Sequence, residues 1–413
     1  MIIQSILGLA VFVLLAVLLS ENRKKISFPL VGIALALQVV LGFIFLKAPI
    51  VRDAFLSLNK IVLALDKATG DGTTMVFSYL GGGPLPFNEP YPGAAFVLAF
   101  KALPIVLVMS ALSALLFYWG IIPAIVKFFS FMLKKTMKTG GAEGIGISAN
   151  IFVGMVEAPL LIKPYLKAMT RSELFTIMTC GMATIAGTVM VLYASILQSS
   201  IPGILGHILT ASIISAPAAI LISKIMIPET EPVTDGSIKT DQVYSSSMDA
   251  VTKGTVQGVE LLINIVAMII VLVAFVSIFN IILGLFPEVS GEALTLQRIL
   301  GWVMAPVSWL MGISWGEAMT TGSLMGTKTI INEFIAFLNL SSLPEGALSD
   351  RSRIIISYAM CGFANPGSLG IMIGGMGVMV PERRDEIVSL GFRSVIAGTI
   401  ATCMTGAVAG LFV

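Results

Sequence analysis

From Val259 to Phe286 the chain reads VELLINIVAMIIVLVAFVSIFNIILGLF, with one carboxylate and no basic residue. A helix needs roughly 20 mainly apolar residues to cross the hydrocarbon of a bilayer. Seven further runs qualify: Ile2–Ser20, Phe28–Leu46, Ala94–Val126, Leu174–Leu197, Gly203–Met226, Ile354–Val380 and Val388–Val413. Only 12% of the 413 residues are charged, about half the share of an ordinary soluble domain, and the mean hydropathy is +0.97. In lipid every backbone N–H and C=O must be satisfied within the protein, so long apolar runs of this kind form helices. The chain is therefore read as an all-α polytopic membrane protein with about eight transmembrane helices.

The first run lacks a basic n-region and a small-residue cleavage site, so it reads as an uncleaved span. Net charge is +2 with no basic tract, which gives nucleic acid nothing to bind. Cys180, Cys361 and Cys403 lie in apolar segments without metal-ligand spacing and read as buried thiols. His207, the only histidine, excludes a His-based metal site and, beside Gly206, reads as a turn residue. Arg23, Lys24 and Lys25 follow the first span, Lys127, Lys134, Lys135 and Lys138 the third, and Arg383 and Arg384 precede the last. Alternation places these loops and the polar segment 227–258 on one side, cytoplasmic by the positive-inside rule, with both termini outside. Arg351 and Arg353 fall on the other side as a minority. Lys47–Lys67 has apolar residues at helical spacing with Arg52, Asp53, Lys60 and Asp66 between them, and reads as an interfacial helix. The stretch GGGPLPFNEPYPG, 81–93, reads as a loop, and 227–258 as a loop plus a surface helix.

Two apolar segments are not spans: AEGIGISANIFVGMVEAPLLIKPYL at 142–166 and GISWGEAMTTGSLMGTKTIINEFIAFLNL at 312–340. Each has a polar, small-residue middle and is followed by a charged joint, TRSE at 170–173 and DRSR at 350–353. Next come CGMATIAGTVM from Cys180 and CGFANPGSLGI from Cys361, where Thr184 matches Asn365 and Gly187 matches Ser368. A hairpin-like segment, a joint and an interrupted helix thus occur twice, which is a transporter's architecture of repeats with re-entrant hairpins. Non-helical backbone at membrane depth survives only where it is buried in protein or lines a cavity. Glu157 and Pro159 are expected near a hairpin tip facing a site. Asn150 stands two turns away on the same face if the helix continues. The alternative for Glu157 is a structural ion pair with Lys163; for Glu333, a solvated helix end; for Asn365, a cap for backbone freed by Pro366. GSLMGTKT at 322–329 imitates a P-loop, but Lys328 does not directly follow the glycine. Gly322/Gly326 and Gly406/Gly410 read as generic small-residue packing.

Taken together, NIFVGMVEAPLLIKPY, CGMATIAG, GTKTIINEF and CGFANPGSLGI resemble the concentrative nucleoside transporter family, most closely its shorter bacterial members. The likeness runs over nearly the whole chain. It implies a homotrimer in the bacterial inner membrane, with eight spans and two re-entrant hairpins per subunit in an inverted repeat. It also implies an elevator-type symport of nucleosides driven by sodium, or by protons in some members, without an organic cofactor. The implied divisions are 1–93 (N-terminal spans, interfacial helix and loop), 94–139 (scaffold and surface helix), 140–226 (first transport repeat), 227–311 (linker and scaffold) and 312–413 (second transport repeat). Glu333, Asn365 and Ser368 correspond to ribose contacts. Met155, Val156 and Glu157 stand where a Gln, Ser-or-Thr and Glu triplet meets the base, and Phe363 packs near the nucleoside. The sodium site corresponds to the Asn150 side chain, the Val153 and Ile185 carbonyls and the Thr184 hydroxyl. The ribose end matches the family and the base end departs from it, which implies an altered base preference. Pro366 and Gly367 also depart from the family's pattern.

Two carboxylates could serve an intramembrane enzyme, but no nucleophile–base pair or metal cluster accompanies Glu157 and Glu333. A channel is the third class, separable by its inability to accumulate substrate against a gradient.

Overall fold

The computed structural model describes residues 1–89, 94–198, 200–236, 244–289 and 291–413, with backbone alone at 49–59 and 61–62. The last residues of the glycine-rich loop, 90–93, and 237–243 of the polar linker lie outside them. No strand occurs among the described residues; an isolated bridge joins Val289 and Glu292. The first part contains α1 (Ile2–Leu18), α2 (Phe28–Lys47), α3 (Pro49–Phe77), α4 (Leu98–Lys101), α5 (Ile105–Tyr118) and α6 (Ile121–Met137). The first repeat follows as α7 (Gly141–Asn150), α8 (Glu157–Leu161), α9 (Lys163–Leu166), α10 (Arg171–Ala183), α11 (Gly187–Leu197) and α12 (Ile204–Met226). Then come α13 (Ser247–Leu283), α14 (Leu296–Leu310), α15 (Trp315–Ile330), α16 (Glu333–Ser341), α17 (Asp350–Met360), α18 (Pro366–Met379) and α19 (Arg384–Phe412).

By length and hydropathy, six described spans qualify as membrane-crossing, and α14 with α15 forms a seventh bent by 118°. Of the eight expected spans, α1 is only 17 residues long, and Ile354–Val380 is two helices broken at Cys361–Asn365. Leu174–Leu197 is likewise broken at Thr184–Ala186. The expected span Ala94–Val126 ends at Tyr118, because Gly120 adopts φ +78 and turns the chain into α6. The interfacial segment does not stop at Lys67; α3 continues to Phe77. Among the described residues no separate surface helix precedes the sixth span. Ser246 accepts from Asp249 N at 3.1 Å and caps one continuous helix of 37 residues. The helix Leu296–Leu310 was not anticipated, since Arg298 and Pro306 interrupt its apolar pattern. His207 is not a turn residue but lies in the first turns of α12, its Nδ1 3.0 Å from the Tyr358 hydroxyl.

The elements α7–α11 and α15–α18 repeat one order: short helices, a joint, then a broken helix. Helix α12 is at the centre, with 89% of its most apolar window buried, and α19 packs against it and against α10 and α17. Helix α13 is the opposite case: none of that window is buried. Its one covered stripe, Ala250, Gly254 and Gly258, meets α5; a Cβ on Gly254 would stand 2.7 Å from the Ser110 carbonyl. Gly322 and Gly326 lie against α14, and Gly406 and Gly410 against Met311, so both pairs serve packing within the chain.

Candidate functional site

Both helix breaks, the α7/α8 turn and the α15/α16 junction converge on one cavity of about 160 Å³. Its polar end is built on caps. Asn332, with φ −169, closes the N-terminus of α16 by accepting from Ile335 N at 2.9 Å, which leaves Glu333 as the first helical residue. Asn365 does the same for α18, accepting from Ser368 N at 2.8 Å. Pro366 is the first residue of α18, a position where its fixed φ fits and its missing N–H is not needed. The family departure there is thus structurally benign.

Glu333 is 5% exposed; it is not a solvated helix end. Its Oε1 accepts from the Tyr193 hydroxyl at 2.7 Å and its Oε2 from Asn365 Nδ2 at 2.9 Å. An ionised carboxylate has about four lone-pair sites, so further acceptor capacity remains for a ligand. Asn365 both caps α18 and orients Glu333, so its alternative role and its expected one coexist. Ser368 and Phe363 line the same cavity.

The opposite wall comes from the turn between α7 and α8. Helix α7 stops at Asn150, so Asn150 and Glu157 do not share a helix face as expected. Gly154, at φ +144, reverses the chain and places Met155, Val156 and Glu157 on the cavity wall. Gly187 N donates to Phe152 O at 3.1 Å and pins this turn to the α10/α11 break; a Cβ on Gly187 would stand 2.4 Å from that oxygen. Among the described residues no ion pair joins Glu157 to Lys163. Its side chain is exposed and also faces a second chamber of about 170 Å³. Leu261, Ile265 and Met268 of α13 complete an apolar side.

The four residues of the expected ion site lie behind this wall. Asn150 is fully buried and its Oδ1 has no hydrogen-bond partner, while its Nδ2 donates to Gly146 O at 3.2 Å. The Thr184 hydroxyl lies 3.1 Å from Asn150 O and 2.9 Å from Cys180 O. The Val153 and Ile185 carbonyls, outside any helix, accept no hydrogen bond among the described residues. A buried orphan amide oxygen, a hydroxyl and carbonyls without a hydrogen bond among the described residues are the kind of neutral oxygens a small cation takes. No group of three His, Cys, Asp or Glu side chains that could hold a metal occurs among the described residues.

Sequence reasoning missed Tyr193, Asn332 and Asn264. Tyr193 is held by ring contacts to Phe337 at 5.0 Å and Phe334 at 6.2 Å. A buried tyrosine hydroxyl needs a partner, a signal no spacing rule carries. Asn264 lines the cavity from α13; an amide inside an apolar span was the available hint.

An all-α chain with several spans around a largely apolar cavity that has one polar end defines a multi-pass membrane transport protein. The family description "Na+ dependent nucleoside transporter" matches this chain at residues 7–80 (N-terminus) and 207–410 (C-terminus), and "Nucleoside recognition" at 99–200. An uncharacterised transporter of Haemophilus influenzae is 38% identical over 100% of this chain and 98% of its own. The nucleoside permease NupC of Helicobacter pylori is 34% identical over 99% and 97%. Among solved structures, CNTnw in an inward-facing substrate-bound state superposes with a TM-score of 0.92 at 36% identity, covering 100% of this chain and 98% of that one. The chain belongs to the concentrative nucleoside transporter family, and it is a transporter, not an enzyme.

Proposed function

We propose that this protein imports nucleosides by symport with sodium. The observation that carries the reading is the Tyr193–Glu333–Asn365 constellation opening onto a cavity walled by Met155, Val156 and Phe363. A carboxylate and an amide can bridge vicinal hydroxyls, so Glu333, Asn365 and Ser368 take the ribose. Met155 and Val156 offer the base shape and apolar contact in place of hydrogen bonds, with Glu157 as the one polar group. Base selectivity is accordingly set more by size than by edge pattern. Sodium binds at Asn150 Oδ1, the Thr184 hydroxyl and the Val153 and Ile185 carbonyls, one turn from the substrate wall, so each ligand orders the backbone the other needs.

The repeats 140–226 and 312–413 form the moving part, whose helix pairs act as re-entrant hairpins. Segments 94–139 and 227–311 form the scaffold, with 1–93 flanking it. Helices α5 and α13 hold a homotrimer, which covers part of the apolar face of α13, and lipid covers the rest. The carrier moves as an elevator in a bacterial inner membrane, termini outside.

The test is uptake of a labelled nucleoside panel into proteoliposomes under an imposed sodium gradient and then a proton gradient. Sodium-driven accumulation of unchanged nucleoside, abolished by Glu333→Ala and shifted in ion dependence by Asn150→Ala, is expected. Proton-only accumulation would retire the sodium site, and normal uptake by Glu333→Ala would overturn the ribose assignment.

A further inference from the structure

Helix α6 and its C-cap carry Lys127, Lys134, Lys135 and Lys138, and no Asp or Glu occurs anywhere between Glu89 and Glu143. A helix that merely faces water mixes both signs along its surface. At 3.6 residues per turn the side chains of α6 fall into three sectors. Ile122, Val126, Leu133 and Met137 are buried against the protein. Ile121, Ile125, Phe128 and Met132, each one or two turns from the next, form an outward apolar stripe; Phe128 is 60% exposed and the neighbouring Phe131 64%. Lys127, Lys134 and Lys138 line one edge of that stripe, all exposed. Lys134 approaches Asp235 at 4.0 Å in an open pair. Among the described residues Lys127, Lys135 and Lys138 have no hydrogen-bond or ion-pair partner.

Such a stripe is costly to leave in water, and such an edge is costly to sink in hydrocarbon. Both are satisfied at headgroup level, with the stripe among acyl chains and the lysine stems reaching up to phosphate. Inorganic phosphate would answer the lysines and leave the stripe bare. A second copy of the helix would cover the stripe and bring its own lysines against these. A phospholipid with a net negative headgroup meets both demands with one molecule.

We propose that α6 is a binding site for anionic phospholipid, and that the bound headgroups steady the turn that walls the cavity. The helix packs chiefly on α7, so closely that a Cβ on Gly144 would stand 3.1 Å from Ser130 Oγ. The Phe129 ring lies 5.4 Å from that of Phe152, whose carbonyl accepts from Gly187 N. A helix fixed at the membrane surface therefore holds, through Phe129 and Phe152, the α7/α8 turn and the α10/α11 break together. The lipid site stands on the surface of α6 alone; its effect on uptake rests on the transport reading above.

The test follows thermal unfolding of the full chain in neutral detergent while phosphatidylglycerol, phosphatidylcholine or inorganic phosphate is added. Phosphatidylglycerol alone should raise the unfolding temperature of wild type, as a ligand of the folded state does. In the Lys127→Gln/Lys134→Gln/Lys135→Gln/Lys138→Gln variant the titration midpoint should move by at least about tenfold, since one lysine near an anionic surface is worth about fivefold in affinity. Arginine at the same four positions should restore it. An equal response to phosphatidylcholine, a response to inorganic phosphate, or no loss in the glutamine variant would overturn the site. A Phe128→Glu/Phe131→Glu variant eluting as a smaller assembly than wild type would put a second copy on the stripe and overturn it too. In proteoliposomes, nucleoside uptake by wild type should be several-fold faster with phosphatidylglycerol than with phosphatidylcholine alone, and uptake by the glutamine variant equal in both. Wild-type uptake indifferent to phosphatidylglycerol would overturn the link to the cavity. Uptake of no nucleoside in any lipid would defeat the transport reading, and the unfolding titration would still decide the lipid site.

Discussion

Glu333 has each oxygen engaged by one neutral donor, Tyr193 on Oε1 and Asn365 on Oε2. Such donors fix direction without neutralising charge. Tyr193→Phe keeps the ring packing on Phe337 and removes one donor to a buried carboxylate, worth about 1.5–3 kcal/mol or about tenfold or more in affinity. The apparent KM for uptake should rise by that factor with a smaller change in maximal rate, and kinetics in proteoliposomes would show it; an unchanged KM would mean the hydroxyl does not orient Glu333. Glu333 and Asn365 were legible because a carboxylate or amide in an apolar run needs a reason, and Ser368 through the repeat and the family resemblance. Tyr193 was not, because an aromatic residue in an apolar helix looks like core, and nothing in the chain order links 193 to 333. Asn150 was legible as a polar intrusion, but the end of its helix there was not, since Ile151–Val153 continue the apolar pattern.

At the scale of elements, the site depends on places where helices stop. Gly154→Ala would force a left-handed φ of +144 on a residue with a Cβ, and would set that Cβ 2.6 Å from Glu157 Oε2 and 3.0 Å from Ala186 Cβ. Strain of this kind costs about 1–3 kcal/mol and falls on the α7/α8 turn that walls the cavity. Uptake should drop by more than about tenfold, while circular dichroism and elution volume stay those of wild type; normal uptake would show that the turn tolerates reshaping. Asn332→Ala removes the cap of α16 and should lower stability by about 1 kcal/mol, readable as a lower unfolding temperature. The breaks near Pro366 and Gly187 could be read from punctuation. The helix Leu296–Leu310 could not: Arg298 looks like a charge within a span, whereas it turns back to donate to the carbonyls of Val289, Glu292 and Ala293 at 2.8–2.9 Å and lies over Trp302.

At the scale of the whole molecule, charge clusters at the surface tie distant parts together. Glu21, just after α1, pairs with Arg171 at 3.0 Å and with Arg393, joining that loop to the start of α10 and the first turns of α19. Partial burial pushes the Glu21 carboxyl up, but hydrogen bonds and charge from Arg171 and Arg393 outweigh it and hold the group below its ordinary 4.5. A depressed carboxyl contributes stability above its unfolded value and loses it as the pH falls through the lower folded one. Glu21→Gln should therefore lower the unfolding temperature at pH 7 by about 1–3 °C, and the gap should shrink as the pH falls below 4.5 and close once the pH is below the depressed folded value. A gap that persists there would mean that packing, not charge, is responsible.

Helix α13 has a consequence for the membrane as well as for the protein. Its stretch Leu261–Leu283 is about 35 Å long at 1.5 Å per residue, a little more than the roughly 30 Å of hydrocarbon in an average bilayer. Such a rod must lean or thicken the lipid around it, at a fraction of a kcal/mol per Å. It thus acts as a ruler clamped to α5 along its glycine stripe, and transport should run faster in lipids of longer acyl chains than in short ones. In this sense the host membrane's thickness is a setting of the transporter.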